Sequence, residues 1–553
     1  MFTVWYLLYY ANSIGAFSIR STRKQLHNFF IMVATIDDIS TKILKIILIS
    51  SLPSKAILPP HSRDPRITLT HVCTRWRFII LSDPALWTSV VFNPVPKFKN
   101  ASNLFNIAKL WLKRSRRAPL TLEFNEELKF TQGKLKIPEY IEHFLYAGTH
   151  FHAFYSIISP HVTRIRNLNC TLITRSTTTK FLYLPAGTFP NLESLNIRFI
   201  DEITLGLSLK TFTSDEIAKF TVFLSLPRLK SLSLEMGQAN GLHLWYLTFP
   251  WDQLRILHMA HTPITPKYFI GILKDTSMIL IDASFQITFP IRHKPNRLLS
   301  STDGGYITMF YLEKLHLALE NPSADRRLFK IIRLPNLRRL WVEALDSKGW
   351  KIKLYSSLLK HTTNLQYLML SDPPTVTGSI FDAGREAQSS LRFFDPDLEV
   401  LFQCLKYTHQ VFLPAGIYMQ TPLLEKIASG QLLPFLQWLT ISSRSPQNIL
   451  EFIRKRHEYS AASMRVPATS RTVMIPNPRP LDFVHLTHIQ VAGSDHDNGD
   501  IHAIFVDVSR KCVETRIWML NANFKIANEP LFTLFDSVNV LFMHSSLLVW
   551  NFD

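Results

Sequence analysis

Cysteine, glycine and negative charge are all in short supply in this chain. Four cysteines are spread over 553 residues, at Cys73, Cys170, Cys404 and Cys512. No CxxC pair occurs among them, which excludes zinc ribbons and dithiol redox motifs. Cysteines this few and scattered fit a reducing compartment, so the expected location is cytoplasm and/or nucleus. None of the 17 glycines falls into GxGxxG, GxxxxGK[ST] or GxSxG, so there is neither a phosphate-cradling loop nor a nucleophile elbow. HExxH is absent as well. The string Ser494 to His502 gathers Asp495, His496, Asp497, Asp500 and His502. It fails the EF-hand pattern, because Asp500 stands where glycine is needed and Val506 where a bidentate glutamate is needed; it reads as a polar loop. His485 and His488 read as strand residues rather than ligands. These absences leave no catalytic residue, no metal site and no cofactor to assign, and the chain is expected not to be an enzyme.

Acidic residues number 42 against 61 lysines and arginines, a formal net charge of +19. Such a surplus favours anionic surfaces in general. The basic residues neither gather in one domain nor interleave with stacking aromatics, so specific nucleic-acid binding is not expected. Apolar residues at 46% and charged residues at 19% describe a folded chain, not a disordered one. Residues 1–31 read as an N-terminal extension. Met1 to Ile19 is apolar, broken at Asn12 and Ser13, and Arg20, Arg23 and Lys24 follow it. That is a weak signal-anchor layout, or residues upstream of a start at Met32. No other stretch approaches a membrane span.

After residue 36 the periodicity becomes helical. Asp37 and Asp38 offer N-caps. Ile39, Ile43, Ile46 and Ile47 follow at spacings that place them on one helical face, ending by Pro53. Pro53, Pro59, Pro60 and Pro65 mark a loop. A second helix is expected from about Ile67, with Leu69, Val72, Trp76, Ile79 and Ile80 along its stripe. Asp83-Pro84 reads as the N-cap and first residue of a short third helix bearing Leu86 and Trp87. A bundle this small has too little core to stand alone, and surplus apolar faces are what a docking surface requires.

The string LTHVCTRWRFIILSDPALWTSV, Leu69 to Val90, resembles the second half of an F-box in the form common in large fungal families. Val72, Cys73, Arg75, Trp76, Arg77, Ile79, Leu86 and Trp87 stand in the family's order. IDDISTKILKIIL, Ile36 to Leu48, resembles the opening half more loosely, since Ile39-Ser40-Thr41-Lys42 takes the place of Leu-Pro-x-Glu. The resemblance implies that residues 36–90 form an F-box-like domain docking a Skp-type adaptor of a cullin–RING ubiquitin ligase. It implies Ile39, Ile43, Ile46, Ile47, Leu69, Val72, Trp76, Ile79, Leu86 and Trp87 as adaptor-binding residues, with the rest of the chain presenting a target protein. Taken as residues alone, Val72, Trp76 and Ile79 equally fill the bundle's own core.

Residues 91–180 read as a linking segment. Leu104, Ile107, Ala108, Trp111 and Leu112 form a helical stripe, and Lys113, Arg114, Arg116 and Arg117 complement the dipole at its C-terminal end. Leu120, Leu122 and Phe124 alternate like a strand. From about 185 to 500 the pattern L-x-x-L-x-L recurs, opening at Leu192, Leu229, Leu254, Met278, Leu312, Leu337, Leu365, Leu436 and Leu486. Leucine-rich repeats run at about 20–29 residues, so the long gap after Leu365 is expected to hide a weak unit near Leu398 and Leu401. Pro190-Asn191, Pro227-Arg228, Pro335-Asn336 and Thr363-Asn364 announce several strands. The asparagine usual eight positions after the first leucine is missing, replaced for example by Thr262 and Gln286, so irregular turns are expected. A strand–helix unit cannot bury its own apolar side, so the units must stack.

The expected fold class is α/β: a small three-helix F-box bundle (36–90) followed by an irregular leucine-rich-repeat solenoid, a horseshoe (185–500), with 501–553 as a C-terminal cap. The bland reading of the same pattern is an ordinary α/β domain with several LxxLxL strands. Target contacts are expected at exposed strand positions, namely Arg255, His258, Arg338, Arg339 and Trp341, since arginine and tryptophan are common interface anchors. The expected function is that of a substrate-recognition subunit of an SCF-type ligase, a monomer within that complex. The alternatives are a repeat scaffold for protein–protein interaction without ligase docking, and a basic nucleic-acid-associated protein.

Overall fold

A computed structural model of the chain describes residues 39–58, 60, 64–93, 101–125, 151–199, 212–236, 242–289, 305–320, 328–345, 352–371, 395–413, 419–443, 446–464, 478–481, 483–489 and 516–519. The extension 1–31, Asp37, Asp38, the polar string 494–502 and most of the expected C-terminal cap lie outside these residues. The chain divides into two units, residues 1–123 and 124–553.

In the first unit, helix α1 spans Thr41–Ser51, and its cap is Ser40, whose Oγ accepts from the Ile43 N–H at 3.4 Å. Strand β1 (Ala56–Leu58) lies in the proline-marked loop. The single second helix expected from Ile67 is in fact two, α2 (Pro65–Thr70) and α3 (Thr74–Ser82). The break has a local cause. Cys73 is extended and its Sγ accepts from the Trp76 N–H at 3.5 Å, which opens a new helix instead of prolonging the old one. Asp83 caps the 3-10 turn Pro84–Trp87 through the Ala85 N–H at 3.1 Å, as its sequence foretold. Strand β2 (Ser89–Phe92) pairs in parallel with β1. Helix α4 (Ala101–Arg114) and strand β3 (Leu120–Asn125) follow, the latter alternating buried and half-buried residues as expected.

Leu44, Leu48, Ile80, Ala108, Trp111 and Leu112 fill this unit's core. The Trp87 and Trp111 rings are 5.4 Å apart, and Arg114 lies 4.9 Å over Trp87, so this cation serves a ring as well as the α4 dipole. Arg66 is buried and donates to the Leu86 carbonyl at 3.4 Å and to that of Pro53, with Asp64 3.8 Å away. Burial pulls its pKa down, against the opposing charge of Asp64.

The second unit is mixed α/β and rests on a large parallel sheet whose strand order follows chain order. Its strands are β4 (Ile165–Leu172), β5 (Ser194–Phe199), β6 (Ser231–Met236), β7 (Ile256–Ile264), β8 (Asp282–Thr288), β9 (Ile307–Thr308), β10 (Lys314–Glu320), β11 (Ile332–Arg333), β12 (Arg339–Ala344), β13 (Tyr367–Ser371), β14 (Gln410–Phe412), β15 (Trp438–Ser443), β16 (Phe483–Ile489) and β17 (Arg516–Met519). Only β9 and β11 stand apart, paired with each other. Helices α5 (Arg175–Leu182), α6 (Pro266–Thr276), α7 (Ile352–Leu359), α8 (Asp395–Gln403), α9 (Thr421–Ala428) and α10 (Pro446–Met464) lie between strands. As expected, α6 buries Phe269, Ile270 and Leu273.

Strand register identifies equivalent inward residues: Leu168, Leu195, Leu232, Leu257, Ala283, Leu315, Leu340, Leu368, Val411 and Leu439. Four expectations shift as a result. The motif in β8 is Leu280, Ala283 and Phe285, all buried, while Met278 and Ile281 are exposed. In β16 Val484 and Leu486 pair with Leu439 and Ile441, so the motif opens at buried Leu481 and not at Leu486. The weak unit exists, but Leu398 and Leu401 lie on α8 and its strand is β14, with Thr408 in the place of the first leucine. Strand β4 carries Ile165, Leu168 and Cys170 inside the segment read as a linker.

Polar side chains stitch neighbouring strands where the usual asparagine is missing. Thr262 is buried, its Oγ1 donating to the Leu234 carbonyl at 2.8 Å and accepting from the Met236 N–H at 3.0 Å. A second set sits one residue before the inward residue that opens each motif. Asn191 donates to the Thr163 carbonyl at 2.7 Å, Asn336 to that of Phe310 at 2.7 Å, and Asn364 to that of Pro335 at 3.4 Å.

Candidate functional site

Two surfaces carry the residues singled out from the sequence, one in each unit. In the first unit the ten residues marked by the F-box resemblance separate. Leu69, Ile79, Leu86 and Trp87 are buried within the unit, and Trp87 donates its Nε1–H to the Ile80 carbonyl at 2.9 Å. They hold the bundle instead of offering a surface, because a unit this small needs its bulky side chains inside. Ile39, Ile47 and Trp76 are half-buried. Ile43, Ile46 and Val72 stand in solvent at 54%, 63% and 56% exposure, and Phe78, which the sequence reading passed over, reaches 70%.

The helix explains this division. Leu44 and Leu48 are the buried positions of α1, so the stripe of isoleucines is its outward face and not its core face. Arg75 ties the start of α3 to the start of α1 by donating to the Ile39 carbonyl and to Thr41 Oγ1 at 3.3 Å. Lys45 pairs with buried Asp83 at 2.9 Å. Ser40 caps α1 and Lys42 is exposed, so neither departure from the family pattern disturbs the local fold.

In the second unit Arg255, His258, Arg338, Arg339 and Trp341 are all exposed. Arg255 and His258 belong to β7 and its approach, and the other three to β12 and its approach. Strands β8 and β10 lie between, a separation of about 14 Å at about 4.8 Å per strand. Around Trp341, the His316 ring stacks at 4.0 Å between centroids, His316 Nε2 lies 3.4 Å from Glu343, and Trp341 Nε1–H donates to Ser371 Oγ at 2.7 Å. Around His258, both its Nε2 and Lys314 Nζ lie 3.4 Å from Asp282. Burial alone would raise the Asp282 pKa, but the hydrogen bonds and charges of His258 and Lys314 outweigh it and hold the carboxyl below its ordinary range. Tyr367, 5.1 Å from Phe412, is pushed up to about 12 by burial. The face is thus occupied by paired charges and stacked rings.

At the leading edge of the same strands lies a cleft of about 610 Å³ lined by Phe310, Tyr311, Glu313, Asn336, Arg338, Asn364, Gln366, Tyr407 and His409. One bank comes from the residue just before each opening inward position: Tyr311, Asn336, Asn364 and Tyr407. The other comes from the residue just after it: Glu313, Arg338, Gln366 and His409. Of these only Arg338 was foreseen. The missed signal was the position flanking the first leucine, and in β14 that leucine is itself a threonine.

Among the described residues no group of three or more His, Cys, Asp or Glu side chains could hold a metal ion, and no helix is long and apolar enough to cross a membrane. Compared with known proteins, the chain matches no family model, and no curated protein matches it.

Proposed function

We propose that this chain recruits a target protein to a cullin–RING ubiquitin ligase, residues 39–92 docking a Skp-type adaptor and the sheet from β4 onward binding the target as a leucine-rich-repeat solenoid. The observation that carries the reading is the exposure of Ile43 and Ile46 on α1 and of Val72 in the turn between α2 and α3, with Arg75 of α3 tied to the start of α1. Burying one such side chain is worth about 1.5–3 kcal/mol, so an uncovered set is a docking surface waiting for a partner. Strands stacked in chain order, each with an aliphatic or small inward residue, support the repeat array. Ubiquitin transfer would come from partners held nearby, so this chain needs no reacting group of its own.

The test is co-purification of the full chain with the host's Skp-type adaptor, beside an Ile43→Asp, Ile46→Asp variant. Both positions face water, so the variant keeps its fold, checked by circular dichroism. The wild type is expected to bind and the variant to lose about 100-fold or more. A folded wild type that does not bind sinks the reading. It would leave the repeat scaffold without ligase docking, the alternative that Ser40 and Lys42 favour by standing where the F-box family has proline and glutamate.

A further inference from the structure

The leading-edge cleft shares only Arg338 with the residues to which target binding was first assigned. We propose that it grips an uncharged, proline-containing segment of the target in polyproline II form. The proposal rests on reading the array as a target-binding surface, and it names what that surface holds.

The dimensions agree. The cleft runs across β10, β12, β13 and β14, three strand spacings or about 14 Å. A polyproline II chain rises about 3.1 Å per residue with three residues per turn, so four or five residues span the cleft. Two prolines one turn apart, about 9 Å, fit between the outer tyrosines.

The banks agree as well. Polyproline II has no internal hydrogen bonds, so its carbonyls need donors from outside. The middle of the cleft supplies them. Asn336 donates one amide hydrogen to the Phe310 carbonyl at 2.7 Å and keeps its second N–H for a ligand, while the Asn364 amide donates to the Pro335 carbonyl at 3.4 Å and to Asn336 Oδ1 at 3.5 Å and so holds Asn336 in place. Gln366 is exposed, and its amide has no partner among the described residues. At the two ends stand rings. Phe310 and Tyr311 are exposed on one side and Tyr407 on the other, with Phe435 stacked 5.8 Å behind Tyr407. Rings flanking donors are the pattern that receives proline side chains.

Charge decides against an acidic or phosphorylated ligand. Arg338 faces Glu313 at 3.9 Å, and Arg479 lies over the Phe435 ring at 5.4 Å. Burial, and then the charge of Arg479, hold the His409 pKa below its ordinary value, which leaves the imidazole neutral at pH 7. Arg338 and Arg479 against Glu313 leave this cleft a surplus of a single positive charge in a chain of net charge +19, less than a phosphorylated ligand calls for.

The experiment titrates labelled decaproline against the full chain without adaptor, followed by fluorescence anisotropy. Saturable binding with little salt dependence is expected. Tyr311→Ala and Tyr407→Ala should each weaken it about tenfold, and Gln366→Ala about threefold. All three side chains are exposed, and circular dichroism confirms that the variants fold. Each variant should still co-purify with the adaptor, so failure here and failure of the docking reading are seen separately. Absence of saturable decaproline binding overturns the proposal. So does binding unchanged in all three variants, or a preference for cellotetraose or for an acidic phosphopeptide.

Discussion

Arg456 offers a demanding test of how the later strands of the parallel sheet are held. It sits on α10 and is fully buried, yet it meets only carbonyls. Its Nε–H donates to Arg479 at 2.8 Å and its Nη1 to Ile427 at 2.5 Å. Its Nη2 is shared among Leu433, Pro434 and Leu436 at 3.1, 3.2 and 3.0 Å. Arg479 lies in the approach to β16, and the other acceptors belong to the end of α9 and to the turn into β15. In that turn Gly430 and Leu433 both take positive φ, 78° and 50°; glycine does so freely and leucine does not. Burial pulls the guanidinium pKa down to about 9, a fall worth about 5 kcal/mol against the cation. Four engaged N–H groups at about 1.5–3 kcal/mol each oppose it with about 6–12 kcal/mol, so the cation stays and the bonds prevail. Arg456→Met keeps the bulk and removes every donor, leaving buried carbonyls unpaired. The expected loss is about 3–5 kcal/mol. A chain of this size need not unfold in one step, so hydrogen exchange of the α9, α10 and β15 amides is the suitable readout. Protection there should fall by about two to three orders of magnitude. Arg456→Lys, with three donors at one point, should fall between. A methionine variant within about 1 kcal/mol of wild type would refute the reasoning.

Two further predictions follow from single hydrogen-bonding groups. Thr262→Val strands the Leu234 carbonyl and the Met236 N–H in a dry interior and should cost about 2–3 kcal/mol by denaturant unfolding; a loss below about 0.5 kcal/mol would mean that the rung carries no load. Tyr367, pushed up to about 12 by burial, should stay protonated after exposed tyrosines have ionised, seen as a late step in ultraviolet titration that Tyr367→Phe removes. Its folded pKa lies above the unfolded value of about 10, so the stability it contributes is whole below pH 10 and is lost as pH rises from about 10 to 12. A single early step would contradict the burial argument.

How far the fold was legible varies from element to element. The Asp83-Pro84 start, the alternation of β3 and the inward leucines of β5, β6, β10, β12 and β13 are local patterns, written in side-chain period and cap chemistry alone. Strand β14 was missed because Thr408 fills a leucine position. It is buried there because its Oγ1 donates to the Leu365 carbonyl at 3.0 Å, which makes a polar side chain acceptable in an apolar slot. The split between α2 and α3 was missed because a cysteine thiol seldom serves as a cap.

The sequence by itself determined the recurring apolar strand pattern, since hydrophobic period and turn residues are properties of intervals along the chain. Only the tertiary structure decided direction and neighbourhood. Period says that Ile39, Ile43, Ile46 and Ile47 share a face; it cannot say that Leu44 and Leu48 take the core and leave Ile43 and Ile46 in water. Likewise Tyr311, Asn336, Asn364 and Tyr407 lie 25, 28 and 43 residues apart in the chain and become one bank because parallel pairing sets them side by side. The connections between strands can lengthen without changing that register, so the spacing along the chain carries no trace of the cleft.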